Sequence, residues 1–382
     1  MEEQRELNAL TLLDAMKEKG VSPDERYRRL NRYLEANARR NGIPLHGSLE
    51  LTSFCNLDCK MCYVHPEKGM RAEAPLSPET WIRLIDEARE MGLLRVSLTG
   101  GECLTYPGFD DVYLHLYERG MKIRILTNGL LLDEKRIAFF RRYRPTSFQI
   151  TLYGGDEAEY EAVTGHRVFG KMMDHLAMLK EAELPVSLSI TPNPFMRQDV
   201  RPLLEAAART GFPWQINSFL MPPRAETGRS GGDLPSDRYI EILRTATALR
   251  GEELTPADPA AVPPPSAAAA EPVRGTSCGA GRSSFAILHN GIMCPCVGLP
   301  DIRTEPLTVG FREAWNTLHE AAVNLPAPGE CRGCAYEAQC TLCPANHRSA
   351  APGHCDRRIC DRTLKMVSAG LMRLPDIKNP CE

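Results

Sequence analysis

Six short runs of β-branched and other apolar residues alternate with helical patterns between residues 47 and 218. A helix between two strands returns the chain to the same end of the sheet, so strands that alternate with helices lie parallel. The alternation therefore predicts an α/β fold whose parallel sheet closes at least in part, as a partial (β/α)6 barrel. The predicted strands are 47–52, 93–98, 122–126, 147–152, 185–190 and 213–218.

One helical pattern, SPETWIRLIDEAREMG, carries both its start and its stop signals. Ser77 is a favourable N-cap, and Pro78 suits the first helical position. Apolar residues recur on one face of the helix, and Gly92 can end it. The pattern predicts a helix that packs on the sheet.

The residues that follow the predicted strands are small, polar or cysteine. The first strand is followed by SFCNLDCKMC, which contains Cys55, Cys59 and Cys62, and the second is followed by the TGGE turn at 99–102. In parallel α/β barrels, functional groups gather at the carboxyl ends of the strands. We therefore expect the cysteines and the TGGE turn to form one site at that edge of the sheet.

Composition narrows the class of protein. The 382 residues carry a net charge of −3 and are 43% hydrophobic, which is typical of a globular protein that binds neither nucleic acid nor an anionic membrane. No apolar run approaches the length of a membrane span, and the start, MEEQRELNAL, lacks a secretory signal, so we expect a cytoplasmic location. Because disulfides are rare in a reducing compartment, the fourteen cysteines favour metal or redox chemistry.

Four chemistries could use three clustered thiols. A structural zinc site takes four protein ligands, and apart from His65 no fourth ligand is near in the sequence. A disulfide would leave one thiol over, and a nucleophile would need only one. A 4Fe–4S cluster suits a short polar loop with several thiolates, and three thiolates leave one iron open to bind another molecule. The residues therefore favour a catalytic iron–sulfur cluster.

The motif C-x3-C-x2-C directly after the first strand, within LELTSFCNLDCKMCY, resembles that of radical S-adenosylmethionine (SAM) enzymes with a C-terminal SPASM domain. The resemblance covers most of the chain and implies a TIM-like partial barrel. It implies that the open iron binds the methionine moiety of SAM, and that reductive cleavage yields a 5′-deoxyadenosyl radical, which takes a hydrogen atom from the substrate. Met61 departs from the family, which often has an aromatic residue directly before the third cysteine.

The same resemblance assigns SAM contacts to the turns after the second, third and fourth strands. The TGGE turn would hold the amino group of the methionine moiety, and two later residues would contact the ribose or the carboxylate. All of these are also ordinary turn residues, which is the alternative interpretation. Cys103 is a candidate hydrogen-atom donor or substrate contact, with an inert buried cysteine as the alternative. The candidate SAM contacts are Gly100, Gly101, Glu102, Asn128 and Thr151.

Ten of the fourteen cysteines follow residue 277, in a pattern that resembles the SPASM or Twitch-type iron–sulfur domain. The segments fit C-x12-G-x4-C and then C-x2-C-x5-C-x2-C, with a last spacing one residue shorter than usual. Taken alone, paired C-x2-C units are typical of zinc sites. After a radical SAM barrel, they favour two auxiliary 4Fe–4S clusters, which makes three clusters in all.

The resemblance also distributes the C-terminal ligands between the two auxiliary clusters. The cluster nearer the barrel would use Cys278, Cys296 and Cys343, with either Cys294 or an open iron at the fourth position. The outer cluster would use three further cysteines and a fourth after a gap, where Cys360 is favoured over Cys355. Those three cysteines are Cys331, Cys334 and Cys340.

Composition shifts divide the chain into four parts. We expect an N-terminal helical segment at 1–45, the radical SAM barrel at 46–250, a Pro/Ala-rich linker at 251–276 and the SPASM domain at 277–382. The last part is short of strong strand or helix patterns, so metal sites would stabilise much of it.

Enzymes of the SPASM branch mostly act on polypeptides. The resemblance therefore implies modification of a ribosomally made peptide, by crosslink formation, oxidation or epimerisation. The alternatives are a dehydrogenase or ligase that acts on a small molecule, sulfatase-maturase-like protein oxidation, and an iron–sulfur electron-transfer scaffold without enzymatic activity. Sulfatase maturases have an aspartate directly after the cysteine that matches Cys296, whereas this chain has Val297 and Gly298.

The implied partners are a peptide substrate and a flavodoxin or ferredoxin reductant. A fused leader-binding domain needs more room than the first forty-five residues give. Either a separate leader-binding protein presents the peptide, or the N-terminal helices and the segment 252–275 do so. The alternative is a substrate without a leader.

Overall fold

The computed structural model describes most of the barrel region and parts of the C-terminal region. The described residues are 16–17, 20–66, 74–217, 220–221, 223–224, 227, 234–254, 278–325, 343, 345 and 357–371. Of the predicted linker, only 251–254 fall within this range, so the linker and the bounds of the four predicted segments stay predictions. Four of the predicted cysteine ligands lie outside the described residues, namely Cys331, Cys334, Cys340 and Cys355.

The described residues form one eight-stranded sheet in the order β6-β5-β4-β3-β2-β1-β7-β8. Strands β1 to β6 are all parallel and follow one another in sequence, which confirms the predicted α/β sheet. The strands are β1 (His46–Glu50), β2 (Arg95–Thr99), β3 (Lys122–Thr127), β4 (Ser147–Thr151), β5 (Val186–Ile190), β6 (Trp214–Ile216), β7 (Ser284–Ile287) and β8 (Met293–Cys294).

Helices connect the strands as predicted, and helix α2 has the expected N-cap. The Ser77 hydroxyl accepts a hydrogen bond from the Thr80 backbone N–H at 3.3 Å, and Trp81, Leu84 and Ile85 are buried. The described helices are α1 (Pro23–Asn41), α2 (Pro78–Glu90), α3 (Phe109–Glu118), α4 (Glu134–Arg142), α5 (Glu157–Thr164), α6 (Phe169–Glu181), α7 (Arg201–Arg209), α8 (Ser236–Leu249), α9 (Pro306–Val309), α10 (Phe311–Val323) and α11 (Arg357–Ser368).

The core lies between the strands and the surrounding helices. Leu98, Ile125, Ile150 and Leu188 are fully buried on four neighbouring strands, where their side chains remove apolar surface from water. A fully buried residue of this size contributes about 1.5–3 kcal/mol relative to an exposed one, so the strand cores fix the positions at which the loops begin.

Part of the cysteine-rich C-terminal region has regular structure, so the expectation that it lacks strong patterns is wrong for 284–323. Strand β7 pairs parallel with β1, and β8 turns back antiparallel to β7. The ring of Phe285 packs against Phe311 and Trp315 of α10, with centroids 5.1 and 6.0 Å apart. Apolar packing therefore stabilises this segment independently of any metal.

Because β1 to β6 are parallel, their carboxyl ends lie along one edge of the sheet, and the predicted site residues follow those ends. None of the described helices combines the length and the apolar character that a membrane span requires.

Candidate active site

The backbone after β1 pairs with the TGGE turn. The N–H of Gly101 donates to the Thr52 carbonyl at 2.7 Å, and the N–H of Glu102 donates to the Phe54 carbonyl at 2.8 Å. These bonds continue the parallel sheet beyond the last strand residues. They fix residues 52–65, which we call the first cysteine loop, against the end of β2.

The two glycines of the turn are required for this pairing. Gly100 has φ +155°, and a Cβ on it would lie 2.5 Å from the Thr52 carbonyl oxygen. A Cβ on Gly101 would lie 2.3 Å from the carbonyl oxygen of Phe54. The structure shows that these glycines admit the backbone of the first cysteine loop, while their predicted contact with SAM stays a prediction.

Backbone and side-chain N–H groups point at two of the three sulfurs. Sγ of Cys55 accepts from the Leu57 N–H at 3.4 Å and from Asn128 Nδ2 at 3.7 Å. Sγ of Cys62 accepts from the His65 N–H at 3.2 Å, while Nδ1 of His65 bonds the Ser53 carbonyl at 3.0 Å. N–H donors of this kind stabilise negative charge on sulfur, as cluster thiolates require.

Helix α5 anchors the middle of the first cysteine loop. The N–H groups of Asp58 and Lys60 donate to the carbonyls of Thr164 and Val163, each at 3.0 Å. Cys59, which lies between them, is buried. The loop is therefore held at both sides, by β2 and by α5, so its three cysteines are placed before any ligand arrives.

Burial governs the protonation of these thiols. It raises the pKa of Cys55 to about 12, and the nearby Glu102 carboxylate adds to the rise. The uncomplexed thiol is thus protonated at neutral pH. Metal ligation needs the thiolate, so loading of this site releases protons.

Glu102 is a buried structural node of the protein. Its Oε1 accepts from Leu104 N–H at 3.1 Å and Thr127 Oγ1 at 2.8 Å, and its Oε2 accepts from Asn128 N–H at 2.7 Å. Burial raises the pKa of this carboxyl, against the effect of those hydrogen bonds. The side chain connects β2 to β3, while its role as a SAM contact stays a prediction.

The other predicted contacts take different positions. Asn128 Nδ2 donates to Asn56 Oδ1 at 2.7 Å, so this residue connects the end of β3 to the first cysteine loop. Thr151 is half-buried at the carboxyl end of β4. Cys103 has no exposed surface, and its Sγ bonds the Leu126 carbonyl at 3.4 Å, as an inert core cysteine would.

Sequence reasoning missed Tyr153, which follows β4. Burial raises its pKa well above the ordinary value, and the charges of Cys59, Cys55 and Cys62 add to the rise. Its ring contacts Tyr160 edge-on with centroids 6.0 Å apart. The only signal in the sequence was its place just after a strand end.

A second missed group lies at the ends of β5 and β6. Asn217 Nδ2 donates to Ser189 Oγ at 2.9 Å and to Thr191 Oγ1 at 2.7 Å. These side chains give the far part of the edge a polar surface. Their positions directly at or after strand ends were the signal that could have found them.

Three of the C-terminal cysteines influence one another electrostatically, and two of them lie on neighbouring segments. Burial raises the pKa of Cys296 to about 11, and the neighbouring thiols of Cys343 and Cys278 add to the rise. A Cβ on Gly298 would lie 3.0 Å from Ala345 Cβ, so the segment that carries Cys343 packs beside the one that carries Cys296. We call Cys278, Cys296 and Cys343 the C-terminal cysteine group.

Two further predicted ligands lie elsewhere. Cys294 is fully buried on β8 and packs with Ala286 and Leu288. Cys360 is half-buried on α11, a helix that contacts α8 through Arg362, whose guanidinium lies 5.0 Å from the Tyr239 ring centroid. Their ligand roles stay predictions.

Between the two cysteine regions lies a buried charged network. Arg224 donates from both terminal nitrogens to Glu50, at 2.9 and 2.8 Å, and His289 Nδ1 donates to Glu50 Oε1 at 2.7 Å. We call these three residues the carboxyl-end triad, because Glu50 is the last residue of β1.

The first cysteine loop suits an iron–sulfur cluster, because each of its three thiols can bind a different iron. Within the described ranges, no three His, Cys, Asp or Glu side chains could hold one metal ion. A 4Fe–4S cluster takes one thiolate per iron, so its ligands need not converge on one point. The N–H groups that donate to the sulfurs of Cys55 and Cys62 would also stabilise the negative charge of cluster thiolates.

Comparison with known proteins identifies the barrel. Residues 49–207 match the model of the Radical SAM superfamily. These residues form a radical SAM domain. It contains the first cysteine loop, the TGGE turn, Asn128 and Tyr153.

Two curated relatives share sequence with part of the chain. The chain is 27% identical to the sporulation killing factor maturation protein SkfB of Bacillus subtilis (strain 168) over 214 residues, 56% of this chain and 52% of that protein. It is 30% identical to a PqqA peptide cyclase of Streptomyces rochei over 149 residues, 39% of this chain and 41% of that protein. The chain thus spans about half the length, or less, of these relatives.

A solved structure shares the fold over a longer range. SuiB of Streptococcus suis bound to S-adenosylmethionine has a TM-score of 0.63 at 16% identity, and covers 91% of this chain and 87% of SuiB. SuiB bound to its precursor peptide SuiA has a TM-score of 0.58, with 88% and 81% covered. The fold likeness therefore extends beyond the radical SAM domain.

Proposed function

We propose that this chain is a radical SAM enzyme that modifies a ribosomally made peptide. The observation that carries the proposal is the first cysteine loop, in which N–H groups point at the sulfurs of Cys55 and Cys62 at the carboxyl edge of the sheet. The names of the relatives support the substrate class. They include a killing-factor maturation protein, a peptide cyclase and an enzyme solved with a precursor peptide.

Cys55, Cys59 and Cys62 would hold a 4Fe–4S cluster. Such a cluster, with one iron free to bind the methionine moiety of SAM, supplies an electron that cleaves SAM to a 5′-deoxyadenosyl radical. The chain's own residues position and shield that chemistry. The glycines of the TGGE turn keep the first cysteine loop in register, and Tyr153 adds a buried ring after the end of β4.

The polar edge formed by Ser189, Thr191 and Asn217 suits a polar cofactor that extends across the sheet from the first cysteine loop. Asn128 and Thr151 lie at the ends of the strands in between. These residues would orient SAM by hydrogen bonds, and orientation of the reacting atoms is a large part of catalysis.

Two auxiliary 4Fe–4S clusters belong to the proposal. The C-terminal cysteine group would hold one, with Cys294 or an open iron at the fourth position. Three cysteines outside the described residues, with Cys360 or Cys355, would hold the other. Auxiliary clusters would accept the electron that remains after hydrogen abstraction, which suits crosslinking or oxidation better than redox-neutral epimerisation.

The proposed partners follow from the chemistry. A flavodoxin or ferredoxin would reduce the first cluster in the cytoplasm, and a separate leader-binding protein would present the peptide where the chain does not do so itself. Mass spectrometry of the peptide after reaction separates the outcomes. A loss of two hydrogens indicates a crosslink or oxidation, and deuterium uptake from solvent without another mass change indicates epimerisation.

Anaerobic incubation of reconstituted protein with SAM and dithionite tests the proposal. We expect 5′-deoxyadenosine from the wild type and none from Cys55→Ala, Cys59→Ala or Cys62→Ala. Cys381→Ala is the control, since that cysteine lies outside both motifs. Retained cleavage in any of the three variants would contradict the ligand assignment, and no cleavage by iron-loaded wild type would exclude the radical chemistry.

A further inference from the structure

The carboxyl-end triad is withdrawn from solvent. The side chains of Glu50, Arg224 and His289 are exposed by only 1%, 3% and 7%. The partners come from distant parts of the chain, since 174 residues separate Glu50 from Arg224 and 239 separate it from His289. The triad is therefore a purely tertiary feature.

Each member of the triad is tied to a segment that carries cysteines. The backbone N–H of Arg224 donates to the Tyr63 carbonyl at 3.4 Å, and the Arg224 guanidinium lies 5.5 Å from the Tyr63 ring centroid. Tyr63 directly follows Cys62 in the first cysteine loop. His289 lies in the connection from β7 to β8, which leads to Cys294 and Cys296.

Arg224 is joined to both sides of this junction, through its backbone N–H on the Tyr63 carbonyl and through Glu50, which also binds His289. Nε of Arg224 is buried and has no hydrogen-bond acceptor among the described residues. One nitrogen of the guanidinium, Nε, is therefore left without an acceptor while the other two donate to Glu50.

Stability alone does not account for such a group. Removing charges from water costs several kcal/mol per ion, and replacing a buried ion pair by apolar residues is often neutral or stabilising. A planar guanidinium that holds a carboxylate with two hydrogen bonds does, however, fix the relative positions of the segments that carry them.

We infer that Arg224 is a positioning residue that holds the β7–β8 segment and its C-terminal cysteine group against the first cysteine loop, and keeps a permanent positive charge between the two. The inference rests on the proposed function, in which both cysteine regions carry clusters. A reduced cluster bears one more negative charge than an oxidised one, so a nearby cation favours reduction. Loss of Arg224 would leave the Glu50 carboxylate without its counter-charge and would therefore lower the reduction potential of the adjacent clusters.

The test is a redox titration of the anaerobically reconstituted full chain, followed by electron paramagnetic resonance (EPR). We expect Arg224→Met to lower the midpoint potential of at least one cluster, and Arg224→Lys to restore most of the wild-type value because it keeps the charge. Arg119→Met is the matched control, since Arg119 also forms a carboxylate–histidine set, with Asp86 and His115, on the helical surface. Its potentials should equal those of the wild type.

A second variant covers the case in which Arg224→Met loses iron or fails to fold. Glu50→Gln/Arg224→Met removes both charges and leaves no lone buried carboxylate. We expect it to keep its iron and to broaden or lose the magnetic coupling between the reduced first cluster and the C-terminal cluster, measured by pulsed EPR.

Two failures can be told apart. Unchanged potentials and unchanged coupling in iron-loaded Arg224 variants would overturn this inference and leave the proposed function standing. A wild type whose iron content and EPR signals account for the first cluster alone would overturn the inference together with the proposed auxiliary clusters, while SAM cleavage would still support the radical chemistry.

Discussion

The two ends of strand β1 each carry a glutamate, a histidine and an arginine in contact, yet the two sets differ in burial. At the amino end, His46 Nε2 lies 2.8 Å from Glu35 Oε2 and 2.8 Å from Arg95 Nη1, and the three side chains are 36%, 27% and 21% exposed. We call this set the amino-end triad. The carboxyl-end triad has the same residue types and almost no exposure.

The difference separates two uses of the same chemistry. At the amino end, water can replace any lost partner, so the contacts add a little stability where α1 meets the sheet. At the carboxyl end, water has no access, and each charge depends on its partners. In parallel barrels the carboxyl edge carries the chemistry and the opposite edge carries stability, and the two triads follow that division.

The largest effect is expected when the glycine on either side of β2 is replaced by alanine. Gly101→Ala should displace the first cysteine loop, because its Cβ would lie 2.3 Å from a backbone oxygen, and should abolish iron binding there and SAM cleavage. Gly92→Ala, before β2, places its Cβ 2.6 Å from Ile43 Cγ2 at φ +108°, a conformation that disfavours a side chain, so it should cost about 1–3 kcal/mol of stability and keep the iron. Iron content and thermal unfolding measure both effects. A Gly101→Ala protein with the iron content of the wild type would contradict the assignment of the chemistry to the carboxyl edge.

A smaller effect is expected from neutralising the glutamate of each triad. Glu50→Gln leaves a buried guanidinium without its counter-charge and should lower the free energy of unfolding by about 3–5 kcal/mol. Glu35→Gln, in a partly exposed set, should cost about 1 kcal/mol or less. Urea unfolding of the reconstituted proteins, followed by circular dichroism, compares the two. Equal losses would show that burial does not distinguish the ends.

The smallest effect concerns pH at the amino end. Burial lowers the pKa of His46 below its ordinary value of 6.5, against the opposing effect of Glu35. The unfolded chain therefore binds a proton at a higher pH than the native protein, so stability falls as the pH drops below about 6.5. His46→Asn should flatten the pH dependence of the unfolding free energy between about pH 7.5 and about pH 5. An unchanged pH dependence of the unfolding free energy in His46→Asn would show that His46 does not cause the loss of stability at low pH.

Local signals in the sequence predicted much of the fold. The six parallel strands fall within a few residues of their predicted positions, because strand and helix periods are local properties of the chain. Ser77 caps its helix as expected. The regular structure of 284–323 was not predicted, although the segment FREAWNTLHEAAV has a helical pattern. Its Phe311, Ala314, Trp315 and Leu318 form the buried face of α10.

The candidate site was predictable only in part. Cys55, Cys59 and Cys62 were found because their spacing is itself the signal. The partners of Gly100 and Gly101 were not, since a glycine shows that something comes close without showing what. Glu50 reads as one more strand residue, and its partners are 174 and 239 residues away, so no local pattern could reveal the carboxyl-end triad.

The pairing of β7 with β1 has a consequence for the integrity of the sheet. Strand β1 lies between β2 and β7, with backbone hydrogen bonds on both sides. Cutting the chain before residue 278 would expose a row of unsatisfied amide and carbonyl groups along β1, which is the kind of bare edge that recruits foreign strands and leads to aggregation. Strand β7, which lies outside the radical SAM domain in the sequence, therefore covers the edge that this domain would otherwise expose.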